Sequence, residues 1–290
     1  MRFLRAIGAA ALIGLSAACS DAPAVPAVSP TILPSPVIYP TQPAVVTNTP
    51  VPTATPLAYD GRWRTLAPAI ELMLLQGRSN GADELLMVAR VDLRRAALRV
   101  LYDPQTPRTL RDWQLAAGAD LVINGGFFDE ANRATGLLIA DGRAFGRSYR
   151  GFGGMFALRE GKPSLQWLRT HPYRFDPAIE QAVQSFPMLV VDAQRVEGIS
   201  DNGQRNRRSF IALDREGYVL LGVTQMAQWT LTDLAGFLAA SPELRVVDAL
   251  NLDGGGSSGL WVDSSLSGFS MNSFEPVPSA IAIFSQRRTG

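Results

Sequence analysis

Two stretches of this chain bring carboxylates together with unencumbered backbone: LVINGGFFDE at 121–130 and ALNLDGGGSSG at 249–259. Each runs an apolar segment into glycines flanked by Asn, Asp or Ser, a construction suited to a binding site at the end of a sheet. Consecutive glycines forfeit packing and raise the cost of ordering the backbone, so a folded chain keeps them where it turns sharply or where something approaches closely. Asp129 and Asp253 stand as acid and base candidates, because glycosyl and phosphate-ester cleavage can be run by two carboxylates whose pKa values the surroundings push apart. Arginine would complete such a site. NGQRNRRSFIALD at 202–214 brings Arg205, Arg207 and Arg208 to the entry of a strand, where a held guanidinium can bind phosphate through paired hydrogen bonds. The plainer alternatives are tight turns closed by Asx hydrogen bonds for the two glycine stretches and a solvated basic loop for Arg205 and Arg207.

Other chemistries are excluded by what is missing. Gly254, Gly256 and Gly259 satisfy G-x-G-x-x-G, yet LWVDSSLSGF follows where a dinucleotide site needs a helix. Gly255, Ser257 and Gly259 satisfy G-x-S-x-G, but the sole histidine, His171, lies upstream, whereas a hydrolase elbow needs its histidine downstream. One histidine and one cysteine cannot assemble a His-rich zinc site. His171 itself reads as a surface or structural residue, leaving the work to carboxylates, Arg, Asn, Ser and backbone.

Such a site needs a frame. Short apolar runs at 84–91, 97–102, 120–124, 136–140, 154–159, 187–192, 210–214, 218–224, 249–253, 259–263 and 280–284 are rich in Val, Ile and Leu and bounded by Gly, Asp or Asn, as strands are. DREG at 214–217 joins two of them as a hairpin turn. Helical spacing appears at 109–119, at 176–185 and at 230–241, the last behind a Thr230 to Asp233 capping box. The pattern predicts one α+β domain over 59–290, a mixed β-sheet core with a few packed helices.

Residues 1–19 carry Arg2 and Arg5, an apolar segment from Ala6 to Leu15 and small residues up to Cys19, the layout of a secretory signal that is too short to span a bilayer. Cys19 after Ser16, Ala17 and Ala18 resembles a bacterial lipobox, in which the cysteine is lipidated and becomes the first residue; the alternative is an ordinary cleaved signal. Either way the mature chain has no internal disulfide. Residues 20–58, dominated by Pro, Val, Thr and Ala, read as a disordered tether. The expected place is therefore outside the cytoplasm, lipid-anchored to a bacterial membrane. Of 27 basic and 26 acidic side chains, removal of Arg2 and Arg5 leaves 25 against 26; so balanced a charge argues against nucleic acid as a partner.

Taken together, INGGFFD, the Arg207-Arg208-Ser209 strand entry and ALNLDGGGSSG resemble the phosphodiester glycosidase family over about 85–290, QSFPMLV at 184–190 included. The resemblance implies a hydrolase that cleaves the glycosidic bond of a sugar phosphodiester, releasing free sugar and a phosphomonoester, here on envelope or environmental glycans. It carries substrate-binding roles to Asn124, Gly125, Gly126, Gln184, Arg208, Ser209, Gly254, Gly255, Gly256, Ser257 and Ser258, and catalytic roles to Asp129 and Asp253. Asp253 would assist departure or attack at the anomeric carbon, and Asp129 would activate water or orient the sugar. Arg208 and the N–H groups of Gly254 to Ser258 would bear the phosphate charge. No nucleotide or other cofactor is required. Phe210 departs from the small residue expected there and would reshape the pocket. Two other readings stay open. One is a non-catalytic glycan-binding lipoprotein with a platform drawn from Trp113, Trp167, Trp229 and Trp261. The other is a phosphate-ester hydrolase whose divalent cation takes Asp129, Asp253 and Asn251 as ligands.

Overall fold

The structure, a computed structural model, describes residues 58–285; the signal segment with Cys19, the tether up to residue 57 and the last five residues lie outside the described residues. Strands make up 43% of it and helices 9%. Eight strands form one sheet in the order β1 (Arg64–Ala67), β2 (Ile70–Ser79), β3 (Ala82–Val91), β14 (Val219–Thr224), β13 (Ser209–Asp214), β15 (Val246–Asn251), β11 (Met188–Val191) and β12 (Gln194–Arg195). A five-stranded sheet runs β7 (Arg143–Phe145), β6 (Leu138–Ala140), β10 (Ile179–Ser185), β8 (Gly154–Arg159) and β9 (Lys162–Trp167). A four-stranded sheet runs β16 (Leu260–Val262), β5 (Leu121–Asn124), β17 (Ser279–Ser285) and β4 (Ala96–Tyr102).

Each of these pairings is antiparallel, which corrects the expected mixed sheet of an α+β domain with a few packed helices to a mostly β fold. Hairpin connections, which can join only antiparallel neighbours, account for β1–β2, β2–β3, β6–β7, β8–β9, β11–β12 and β13–β14. Two-residue turns at Asn80-Gly81, Asp141-Gly142, Glu160-Gly161 and Asp192-Ala193 have both central residues at positive φ, the geometry whose twist suits a tight hairpin.

The main core lies where the sheets face one another. Leu72, Leu74 and Ile211 from the first sheet meet Phe156 and Val183 from the second and Ile123 and Ile281 from the third, all buried. The other face of the eight-stranded sheet is covered by α2 (Leu231–Ala240), started by the expected capping box between Thr230 and Asp233. Helix α1 (Leu110–Ala117), capped by Thr109 and ended by Gly118 at φ 63°, covers the outer face of the four-stranded sheet.

One expected helix is a strand. Residues 176–185 have helical spacing, but from Ile179 they form β10, the middle of the five-stranded sheet. The two glutamines that would sit on a solvated helix face are buried instead. Gln181 accepts from the Val100 N–H at 2.9 Å, and Gln184 accepts from the Tyr149 N–H at 2.8 Å. Burial with satisfied amides outweighs the local pattern. Phe210 also differs from expectation. Its ring is fully buried beneath α2 against Gly222, where an added Cβ would lie 2.1 Å from the ring, so it belongs to the core rather than to a pocket wall.

Candidate active site

β5 and β15 each end where a glycine motif begins, and the two motifs are latched together. The Asn124 side chain, fully buried, donates to the Asp253 carbonyl at 2.8 Å, the Asp253 N–H donates to the Gly125 carbonyl at 3.2 Å, and the Gly259 N–H reaches the Asn124 Oδ1 at 3.4 Å. A buried amide with its donors and acceptor used this way orders both loops at once. The glycines are needed for closeness: a Cβ on Gly125 would lie 2.2 Å from the Ser279 Oγ, and one on Gly126 would lie 2.7 Å from the Gln184 carbonyl.

Asp253 follows β15 at the mouth of this latch, half-buried. Burial pushes its carboxyl above the ordinary aspartate range and the Glu275 charge adds to that, against hydrogen bonds from the Ser257 side chain and the Gly254 N–H. It therefore keeps a proton at a higher pH than a surface aspartate does, as an acid that must exchange protons requires.

Arg208 enters from β13. Its guanidinium runs beside the same glycines, with Nη1 3.5 Å from where a Gly254 Cβ would be, and Nη2 donates to the Gln204 carbonyl at 2.7 Å. Nε is buried without a partner. Arg207, similarly buried, donates to the Asn272 carbonyl and lies 4.2 Å from the Phe274 ring centroid. Among the described residues neither arginine is in an ion pair. Buried cations are normally paired; the Asp201 charge acts on Arg208 without an ion pair to it, which leaves the guanidinium able to receive a further anion. Arg205 is exposed and donates to the Gln228 carbonyl.

Other candidates take supporting places. The N–H groups of Gly254, Gly255, Ser257 and Ser258 already donate to Asp253 Oδ1, Arg207 O, Gly254 O and Gly255 O. The expected row of phosphate-binding amides from Gly254 to Ser258 is therefore largely consumed by the turn that contains Gly256. The Ser258 hydroxyl holds the Arg207 carbonyl at 3.1 Å, and Gln184 holds the Leu137 and Tyr149 amides. Ser209 is fully buried with its hydroxyl unpartnered.

Asp129 is engaged within its own loop. One oxygen accepts from the Ala131 and Arg133 N–H groups and the other from the Arg133 guanidinium, and these bonds from Arg133 hold its carboxyl below the usual range. Glu275 is the acid whose charge reaches Asp253. Exposed, it packs on the glycine turn with its Cδ 2.8 Å from where a Gly256 Cβ would be. Glu275 lies in NSFEPVPS, a loop with no periodic or motif signal to single it out.

An aromatic cluster that no sequence motif marks adjoins the acid. The Phe127 and Phe186 rings stack with centroids 4.3 Å apart, Tyr149 stacks on Phe152 at 4.8 Å, and burial raises the Tyr149 hydroxyl pKa, with the Asp253 charge contributing. Of the four tryptophans considered for a platform, Trp113 and Trp229 are buried, Trp261 packs partly buried beside α1, and Trp167 on β9 is partly buried against the main core. Among the described residues no group of three or more His, Cys, Asp or Glu side chains is placed to hold a metal ion. Asn251 has its Nδ2 on the Phe186 and Leu252 carbonyls and its Oδ1 buried and unpartnered.

A model of the phosphodiester glycosidase family matches residues 117–284. No curated protein sequence matches the chain. Among solved structures it is similar to the catalytic domain of zebrafish N-acetylglucosamine-1-phosphodiester alpha-N-acetylglucosaminidase, auto-inhibited by its pro-peptide, at a TM-score of 0.60 and 17% identity over 77% of this chain and 86% of that one. A hypothetical protein from Synechocystis gives 0.56 and 17% over 81% of this chain and 64% of that one. A Burkholderia pseudomallei protein described as exported gives 0.53 and 14% over 72% and 75%.

Proposed function

This chain belongs to the phosphodiester glycosidase family, and from that premise we propose that it hydrolyses the bond between the anomeric carbon of a sugar and the oxygen of a phosphodiester. The observation that carries the proposal is the placement of Asp253, with its raised carboxyl pKa, and the ion-pair-free Arg208 on one glycine turn. Water supplies the new oxygen on the sugar, and the phosphomonoester leaves with the oxygen of the broken bond. Arg208 offsets the charge that grows on the departing phosphate. Asp253 exchanges the proton, donating toward the leaving oxygen or drawing one from the water. Asp129 positions the loop that follows Phe127, since both of its oxygens are engaged there.

N-acetylglucosamine is the sugar to try first, because it is named for the zebrafish protein of like fold. We place the enzyme outside the cytoplasm, tethered through Cys19; incorporation of labelled palmitate, lost in Cys19→Ala, is the result this requires. Among the described residues no helix is long and apolar enough to cross a membrane.

Hydrolysis of UDP-N-acetylglucosamine and of simple sugar-1-phosphodiesters tests the reading. Asp253→Asn and Arg208→Ala should each lower kcat/KM by about a hundredfold or more. Asp129→Asn should lower it by less than about tenfold, in keeping with a surface turn. Chelator should leave the rate unchanged. Abolition of activity by chelator would favour the metal-dependent phosphate-ester hydrolase instead.

A further inference from the structure

The aromatic cluster beside Asp253 has a second side. Phe152 and Phe186, 49% and 37% exposed, also border a cavity of about 200 Å³ that continues past them to Trp167, Arg169, Met188 and Glu197. Two large apolar side chains side by side in water are the kind of surface that a soluble domain keeps for a ligand.

The cavity is fixed to the site by backbone. The Asn251 side chain donates to the Phe186 carbonyl at 2.8 Å and its N–H donates to the Pro187 carbonyl at 3.0 Å, two residues before Asp253. Gly153, at φ 73°, keeps the floor flat, since a Cβ there would lie 2.5 Å from the Ser185 carbonyl. Phe152 meets Phe186 edge to face at 5.8 Å. At the far end the Arg169 guanidinium lies 5.8 Å from the Trp167 ring centroid, and Glu197, exposed, is held by Arg195.

Flat aromatic faces with a charged, hydrogen-bonding rim match a sugar ring, which has an apolar C–H face and a polar edge. The space suits a single ring better than an extended acyl chain, and the polar groups at its rim can hydrogen-bond to sugar hydroxyls, which an acyl chain lacks. We propose that this cavity is a subsite for a neutral sugar ring of an extended glycan whose phosphodiester lies at Asp253 and Arg208. The proposal rests on the glycosidase reading for its second half; the sugar site itself can be tested alone.

The full chain carrying Asp253→Asn is titrated with chitotetraose, cellotetraose and maltotetraose, and with N-acetylglucosamine, glucose and uridine, following tryptophan fluorescence and calorimetry. At least one tetrasaccharide should bind saturably and more tightly than any monosaccharide. Phe152→Ala should weaken that binding by about two- to tenfold, the worth of one aromatic contact. Trp167→Ala should weaken it too and remove the fluorescence change. Because Trp167 belongs to β9 and its loss can disturb folding, Phe152→Ala, on a surface loop, decides. No preference for any tetrasaccharide, binding indifferent to Phe152→Ala, or uridine binding in place of sugar would overturn the subsite. Tetrasaccharide binding that depends on Phe152, in a chain that hydrolyses no phosphodiester, would overturn the glycosidase reading and leave the subsite standing.

Discussion

Asp253 links stability to chemistry. Its folded-state pKa is raised, chiefly by burial, so its burial costs nothing extra below the ordinary carboxyl value, where it is protonated folded or unfolded, and costs stability as pH rises through the raised value. Asp253→Asn should therefore raise the Tm at pH 7 relative to wild type, with the difference shrinking toward pH 3. A lower Tm for the variant at pH 7 would mean that the hydrogen bonds from Ser257 and Gly254 outweigh desolvation. The placement of Arg208 and Asp253 beside one glycine turn was legible in the sequence, because a strand entry and a glycine turn each leave one side chain in a defined place. The apparent equivalence of Asp129 was not resolvable there. Sequence shows a carboxylate but not whether its oxygens are taken, and Arg133, four residues on, takes both. Glu275 was invisible for the converse reason: its position depends on a loop that touches the glycine turn only in the folded chain.

Elements carry the next level. β10 holds the Tyr149 segment through Gln184, whose Oε1 accepts from two backbone amides and whose Nε2 donates to the Ser148 hydroxyl at 2.9 Å. Gln184→Ala should cost about 1–3 kcal/mol, because it strands those buried amides. It should also alter kcat/KM through Tyr149, while Gln184→Glu should restore the acceptors and part of the stability. Chemical denaturation and steady-state kinetics on the two variants check this; equal losses in both would show that the acceptor role is not what matters. All eleven apolar runs read as strands are strands, since each is short, branched and bounded by turn residues. Of the missed strands, β2, β7, β9 and β12 belong to hairpins with two-residue turns. Asn80-Gly81 and Asp141-Gly142 were readable signals for these, whereas Asp192-Ala193 offers no glycine. β10 was unreadable from local pattern, because its glutamines face other strands rather than water.

At the scale of the whole molecule, three antiparallel sheets enclose one core, and the two glycine motifs leave strands of different sheets to meet at Asp253. The sequence made the pairing of the motifs plausible through their common design. It could not show that the Asn124 and Gln184 side chains tie neighbouring loops together, since that depends on which backbone groups meet them after the sheets close. The proposed site therefore offers few groups to a ligand: the Asp253 acid, Arg208 and an aromatic wall. That economy would suit the phosphate leaving group we propose, which needs its charge balanced more than it needs a strong acid.

The central claim concerns which bond breaks, and the most direct measurement is hydrolysis of UDP-N-acetylglucosamine by the full chain in ¹⁸O-labelled water, with both products analysed by mass spectrometry. The account predicts label in the free sugar, unlabelled uridine diphosphate, and neither product from Asp253→Asn. Label in the phosphate would contradict it, showing that water attacks phosphorus rather than the anomeric carbon.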